Sequence, residues 1–95
     1  MYQRMYPVFN CSLLSRSYVS PKGMVQLIAG AAGSTEGLTA FNETAPKPSW
    51  FALGYAKTEG YGTLDVNTSS IAWNYWSAPN DGSASTLIDT ITITK

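Results

Sequence analysis

The side chains of this chain that could do chemistry are few, and what is missing among them is as informative as what is present. There is no histidine in the 95 residues. That removes Ser-His-Asp and Cys-His triads, imidazole general bases and almost every zinc or di-iron site built on imidazole. Cys11 is the only cysteine, so neither an internal disulfide nor a zinc-finger arrangement can form, and the thiol reads as a small buried side chain. Asp65 and Asp89 read as isolated carboxylates on solvent faces. An acid and base pair for glycoside hydrolysis needs two facing carboxylates at a set separation, which the sequence does not show. Self-contained catalysis is not expected. What the polar residues do spell is modification: of Asn10, Asn42, Asn67, Asn74 and Asn80, the first three open the sequons Asn10-Cys11-Ser12, Asn42-Glu43-Thr44 and Asn67-Thr68-Ser69, all without proline in the middle position. They fit a secreted parent protein.

The elements that must position such groups are organised around Met24 to Gly37, MVQLIAGAAGSTEG. Its first half reads as a buried strand, with Val25, Leu27 and Ala29 facing one way and Ile28 the other, and apolar groups on both faces demand neighbours on both flanks. Its second half is a loop in which Gly30, Gly33 and Gly37 allow positive φ or a close backbone approach. Loops at the end of a rigid strand often border a site. The spacing alone indicates an ordinary glycine turn, since it has neither the Lys-Ser/Thr pair of a phosphate loop nor a GxGxxG leading into a helix.

Lysine plus arginine equals aspartate plus glutamate, 6 against 6, with no basic cluster, so nucleic acid and membrane surfaces are not expected partners. No apolar segment approaches the roughly 20 residues that cross a bilayer, and MYQRMYPVFN lacks the apolar core of a secretory signal peptide. Taken as complete, the chain is expected to stay in the cytosol, an expectation that the three sequons oppose.

Along the chain, Pro7 points to a strand start or an edge, and a short strand is predicted over Val8 to Leu13. Arg16 to Gly23 is rich in turn formers. Leu38 to Ser49 reads as a long surface loop, with one helical turn at Leu38 to Asn42 and with Ala45-Pro46-Lys47-Pro48 unable to continue helix or ladder. From Trp50 onward the pattern is β: Trp50 to Lys57, a turn at Thr58-Glu59-Gly60, Tyr61 to Val66, and a turn at Asn67 to Ser69. A strand follows in which Ile71, Trp73 and Tyr75 share one face, then a turn at Ala78 to Gly82 and a last strand over Leu87 to Thr94. Tyr55, Tyr61, Trp73 and Tyr75 are predicted core residues. The fold class is all-β, antiparallel strands forming part of a β-sandwich with one long Pro/Gly-containing loop. A sheet must cover its apolar face, and these residues supply no amphipathic helix to do so, so something outside them is expected to cover one face.

Five pieces in order resemble the C-terminal end of a purple acid phosphatase: Tyr2-Gln3-Arg4 with Tyr6-Pro7-Val8, VQLIAGAAGSTEG, Pro48-Ser49-Trp50-Phe51-Ala52, Gly60-Tyr61-Gly62-Thr63-Leu64-Asp65-Val66-Asn67, and the closing LIDTITITK. The resemblance implies that residues 1–95 are the C-terminal segment of a metallophosphoesterase with two packed β-sheets flanked by helices. Such enzymes hydrolyse phosphate monoesters at iron(III) paired with a divalent iron, zinc or manganese. The remainder of that fold is the implied partner. It also implies that the family's Gly-His-x-His motif ends just before Met1 and that the other ligands lie further upstream, so that no catalytic or metal-binding residue falls in this chain and the chain alone is inactive. Tyr2 and Arg4 would follow those ligands, with Arg4 supporting them from behind or presenting charge to phosphate, although both are expected first to anchor a strand. Gly30, Gly33 and Glu36 would form the rim loop, Glu36 accepting backbone hydrogen bonds within it. The rival from residue chemistry alone is a β-sandwich module that binds sugar or protein through exposed Trp50, Trp76 and Tyr55. A third reading is an assembly fragment that pairs through the LIDTITIT end, which has no proline and little charge.

Overall fold

The computed structural model describes residues 1–30, 38 and 42–95. Gly33, Glu36 and most of the expected helical turn at Leu38 to Asn42 lie outside them. The described residues contain eight strands and no helix: β1 (Tyr2–Met5), β2 (Val8–Phe9), β3 (Ser12–Leu13), β4 (Leu27–Ala29), β5 (Phe51–Tyr55), β6 (Gly60–Val66), β7 (Ser70–Ser77) and β8 (Leu87–Thr94). They form three antiparallel sheets, ordered β4-β1-β5, β2-β3 and β6-β7-β8. The all-β class is as expected.

The β6-β7-β8 sheet follows the sequence closely. Alternation sets its register, with Leu64 opposite Trp73 opposite Ile91, and Val66 opposite Ile71 opposite Ile93. One face is thereby apolar. Asn67 closes the first turn by accepting the Ser69 and Ser70 backbone amides on Oδ1, both at 2.8 Å, an Asx turn that replaces missing ladder bonds. The second turn contains Gly82 at φ 83°, in the left-handed region.

The first half departs from expectation. The apolar run that ends at Ala29 supplies an edge strand: β4 pairs with β1 alone, and Ile28 is 39% exposed. The centre of this sheet is the polar β1, flanked by β4 and β5, with Tyr2 in register with Ala29 on one side and Tyr55 on the other. The predicted single strand over Val8 to Leu13 is instead a hairpin, because Asn10 and Cys11 turn the chain at φ 51° and 62°. Two successive positive φ values make the tight turn whose twist matches that of a hairpin. Cys11, at this tip, is exposed rather than buried. Gly30 is not in the left-handed region. Its amide and carbonyl bond to Met1, and a side chain there would meet Met1 at an ordinary 3.6 Å.

The core sits where the two three-stranded sheets meet. Tyr2 and Tyr75 are fully buried, with Trp73 and Ile91 nearly so, and Leu27, Leu53 and Tyr55 pack around them. The Tyr2 ring lies on that of Tyr75 at 4.0 Å between centroids and 7° between planes, and 6.3 Å from the Trp73 ring. Such aromatic pairs add roughly 0.5–1.5 kcal/mol to the area that they bury. Tyr61, expected in the core, is 46% exposed because it faces the other way with Trp76. Trp50, Trp76 and Tyr55 are each half-buried, so none forms the exposed platform of the rival reading.

Trp73 can lie flat on β6 because residue 62 has no side chain: a Cβ there would come within 1.8 Å of the ring. Overpacking of a filled site typically costs about 1–3 kcal/mol. Gly62→Ala is therefore expected to lower the urea midpoint by that stability without changing the slope. An unchanged midpoint would show that the ring does not depend on the gap.

Candidate functional site

A cluster of chemically capable side chains lies between the sheets, on Tyr2 and Arg4 of β1, Tyr18, Trp73 of β7 and Asp89 of β8. Alternation along β1 turns Tyr2 and Arg4 to the same face, towards β7 and β8. Arg4 Nε donates to Asp89 Oδ2 at 2.6 Å and a terminal nitrogen to Oδ1 at 3.1 Å, a two-point ion pair. The other terminal nitrogen donates to the Tyr18 hydroxyl at 2.8 Å, and Tyr18 donates to the Met5 carbonyl at 2.9 Å. The Tyr2 hydroxyl donates to Asp89 Oδ2 at 2.7 Å and accepts from Trp73 Nε1 at 3.0 Å.

Asp89 is thus not the solvent-facing carboxylate that the sequence suggests, since its side chain is 8% exposed and that of Arg4 is 14% exposed. A carboxylate interrupting an apolar face is costly unless paired, and β8 accepts it because β1 brings Arg4 opposite. The available signal was this single interruption between Leu87 and Ile91, together with an arginine placed between Tyr2 and Tyr6. Asp65 does remain exposed.

The electrostatics are those of a closed network. Burial alone lowers the affinity of Arg4 for its proton, but the bonds to Asp89 and Tyr18 more than reverse this and hold it charged. Burial, followed by the bond to Asp89, pushes the Tyr2 hydroxyl well above its ordinary value, with Trp73 partly opposing. Burial likewise raises Tyr18, against the pull of Arg4. Each side of the Arg4 guanidinium is committed within the protein, so the arrangement can orient and clamp. It presents no unspent charge.

Of the residues singled out from sequence, the structure places Tyr2 and Arg4 on β1 and Gly30 just past the end of β4, bonded to Met1 beside the start of β1. Gly33 and Glu36 lie outside the described residues. The sequon residues Asn10, Asn42 and Asn67 are all exposed. Asn42 Oδ1 accepts from the Thr44 hydroxyl at 2.9 Å and from the Thr44 and Ala45 amides, both at 3.1 Å. The donor set does not fit a dinuclear metal centre: the chain has no histidine, and the described residues bring no three of Cys, Asp and Glu together. One buried group that sequence reasoning did not mark is the Tyr75 hydroxyl, which has no hydrogen-bond partner among the described residues and abuts Gly60. Burial and the neighbouring Tyr55 raise it.

Three outcomes follow from this geometry. Asp89→Asn leaves a buried guanidinium short of its counter-charge, a change that costs on the order of 3 kcal/mol in such settings, measurable as a drop in the urea midpoint. Tyr75→Phe removes an unpaired buried hydroxyl and is expected to be neutral or to stabilise by about 1 kcal/mol; a large loss would show that the hydroxyl has a partner. The folded protein favours neutral Tyr2, Tyr18 and Tyr75, so their contribution is complete below the ordinary tyrosine value of about 10 and declines as pH rises above it. Alkaline unfolding monitored by tyrosinate absorbance is expected to be cooperative and to begin above that pH.

Residues 23–89 match the family described as iron/zinc purple acid phosphatase-like protein C. Human acid phosphatase type 7 is 36% identical over 69 residues, which cover 68% of this chain and 15% of the human protein. The chain thus corresponds to a small part of the length of that relative. No solved structure matches it. No described helix is long and apolar enough to cross a membrane. The matched stretch runs from the connection before β4 to the start of β8, leaving out β1, and spans more than half of the chain, which places the chain in the iron/zinc purple acid phosphatase-like protein C family.

Proposed function

We propose that residues 1–95 are the C-terminal segment of a secreted purple acid phosphatase-like metallophosphoesterase, hydrolysing phosphate monoesters at a dinuclear centre whose ligands come from the rest of that protein. On this reading the segment has no activity of its own. Its work is to supply strands behind the centre and loops at its rim. When bound, the iron(III) and divalent metal would activate water and polarise the phosphoryl oxygen, while the residues described here hold the strands in place. The observation that carries the reading is the family match over residues 23–89 in a chain that contains no histidine.

The remainder of the fold covers the open edge of β4 and the apolar surface around the β2-β3 hairpin. Ile28 is 39% exposed on the edge strand β4, and Phe9 and Met24 are 65% and 69% exposed around the β2-β3 hairpin. Large apolar side chains exposed on an edge strand and on a two-stranded hairpin are what an intramolecular neighbour would bury. In the secreted parent, Asn10, Asn42 and Asn67 are the glycan acceptors.

The test has two arms, both using an aryl phosphate in the presence of iron and zinc. The chain alone is expected to show no turnover above a heat-treated control. A chimera in which this chain replaces the matching segment of human acid phosphatase type 7 is expected to keep its phosphatase activity. Turnover by the isolated chain, or a folded chimera that is inactive, would count against the proposal.

A further inference from the structure

We propose that Asn67 carries an N-linked glycan whose first N-acetylglucosamine lies in the adjoining cleft, against Val66, Ile71 and Ile93. The inference rests on the secreted reading above and goes beyond it by assigning the sugar a seat on the protein. Its first support is the side-chain amide itself. Asn67 Oδ1 takes the amides and hydroxyls of Ser69 and Ser70, at 2.8 to 3.2 Å. Nδ2 makes no hydrogen bond among the described residues, and Asn67 is exposed at the tip of the β6-β7 turn. The oxygen is thus held by the turn while the nitrogen, the atom that is modified, is left free.

The second support is the cleft that Asn67 helps to line, about 450 Å³, within the range of small-molecule sites. One wall is aliphatic. Val66 and Ile71 are opposite each other in register and 67% and 36% exposed, and Ile93 continues the row. This row lies on the same sheet face as Trp73 and Ile91, beyond the part that Tyr2 covers. The rim is polar, with Ser20, Thr94 and Lys95. A pyranose has the matching character, C–H groups on its faces and hydroxyl and acetamido groups around its edge. In the modification, a bond forms between Nδ2 and the anomeric carbon of an oligosaccharide carried on a lipid pyrophosphate. The carbon–oxygen bond to that carrier breaks, the pyrophosphate leaves with the electron pair, and Nδ2 gives up one proton.

The full chain, secreted from a eukaryotic cell behind a heterologous leader, provides the test. Enzymatic glycan release in ¹⁸O-water converts an occupied asparagine to labelled aspartate, and the label is expected at position 67 and absent from N67Q. After trimming to a single N-acetylglucosamine, nuclear Overhauser contacts are expected between the sugar and the methyl groups of Val66, Ile71 and Ile93. Label at Asn10 or Asn42 but not at Asn67 overturns this proposal and leaves the secreted reading standing. No label at any sequon removes the glycoprotein part of that reading as well. Label at Asn67 with a sugar that shows no methyl contact overturns the seat.

Discussion

The ion pair between Arg4 and Asp89 joins the two principal sheets, and the surrounding structure is arranged to make that pair tolerable. A carboxylate and a guanidinium withdrawn from water lose more hydration than their attraction returns unless their remaining bonding capacity is met. Here it is met by neighbours from separate parts of the chain: Tyr2 donates to the carboxylate and Tyr18 accepts from the guanidinium. The same Tyr2 offers its ring to Tyr75 and its oxygen to Trp73. One side chain thereby ties the polar network to the aromatic core, and the sheets cannot slide relative to each other without breaking both.

This explains why a polar strand, YQRM, occupies the centre of its sheet while an apolar run lies at the edge. In a free-standing domain the reverse is usual. β1 tolerates the position because its inward groups are bonded rather than merely buried. β4 is left with one open flank.

How far the sequence could be read followed from the range of the interactions involved. The β6-β7-β8 meander was legible because alternation and the turn residues Asn67, Pro79 and Gly82 are local signals. The sequence could not show that Val25 to Ala29 would lie at an edge, since an apolar run looks the same whether one neighbour or two supply its hydrogen bonds. Nor could it show the hairpin at Asn10 and Cys11, where a cysteine takes a left-handed conformation that its side chain does not favour. Asp89 was misread for a related reason: alternation places it on the apolar face, but only its partner 85 residues away makes that placement affordable. The family likeness was readable because it rests on the order of short motifs, which does not require knowing what touches what.

The fastening between the chain's two ends continues beyond Arg4 and Asp89. Thr94 bonds by its amide to the Tyr18 carbonyl and by its carbonyl to the Ser20 amide, at 3.1 and 2.7 Å. Contacts between such distant residues require large loops to close before they contribute, which gives the fold a high contact order and a slow approach to the native state. During synthesis β1 precedes β8, so Arg4 stays without its counter-ion until β8 has left the ribosome. Until then β1 must be kept from other sheet edges.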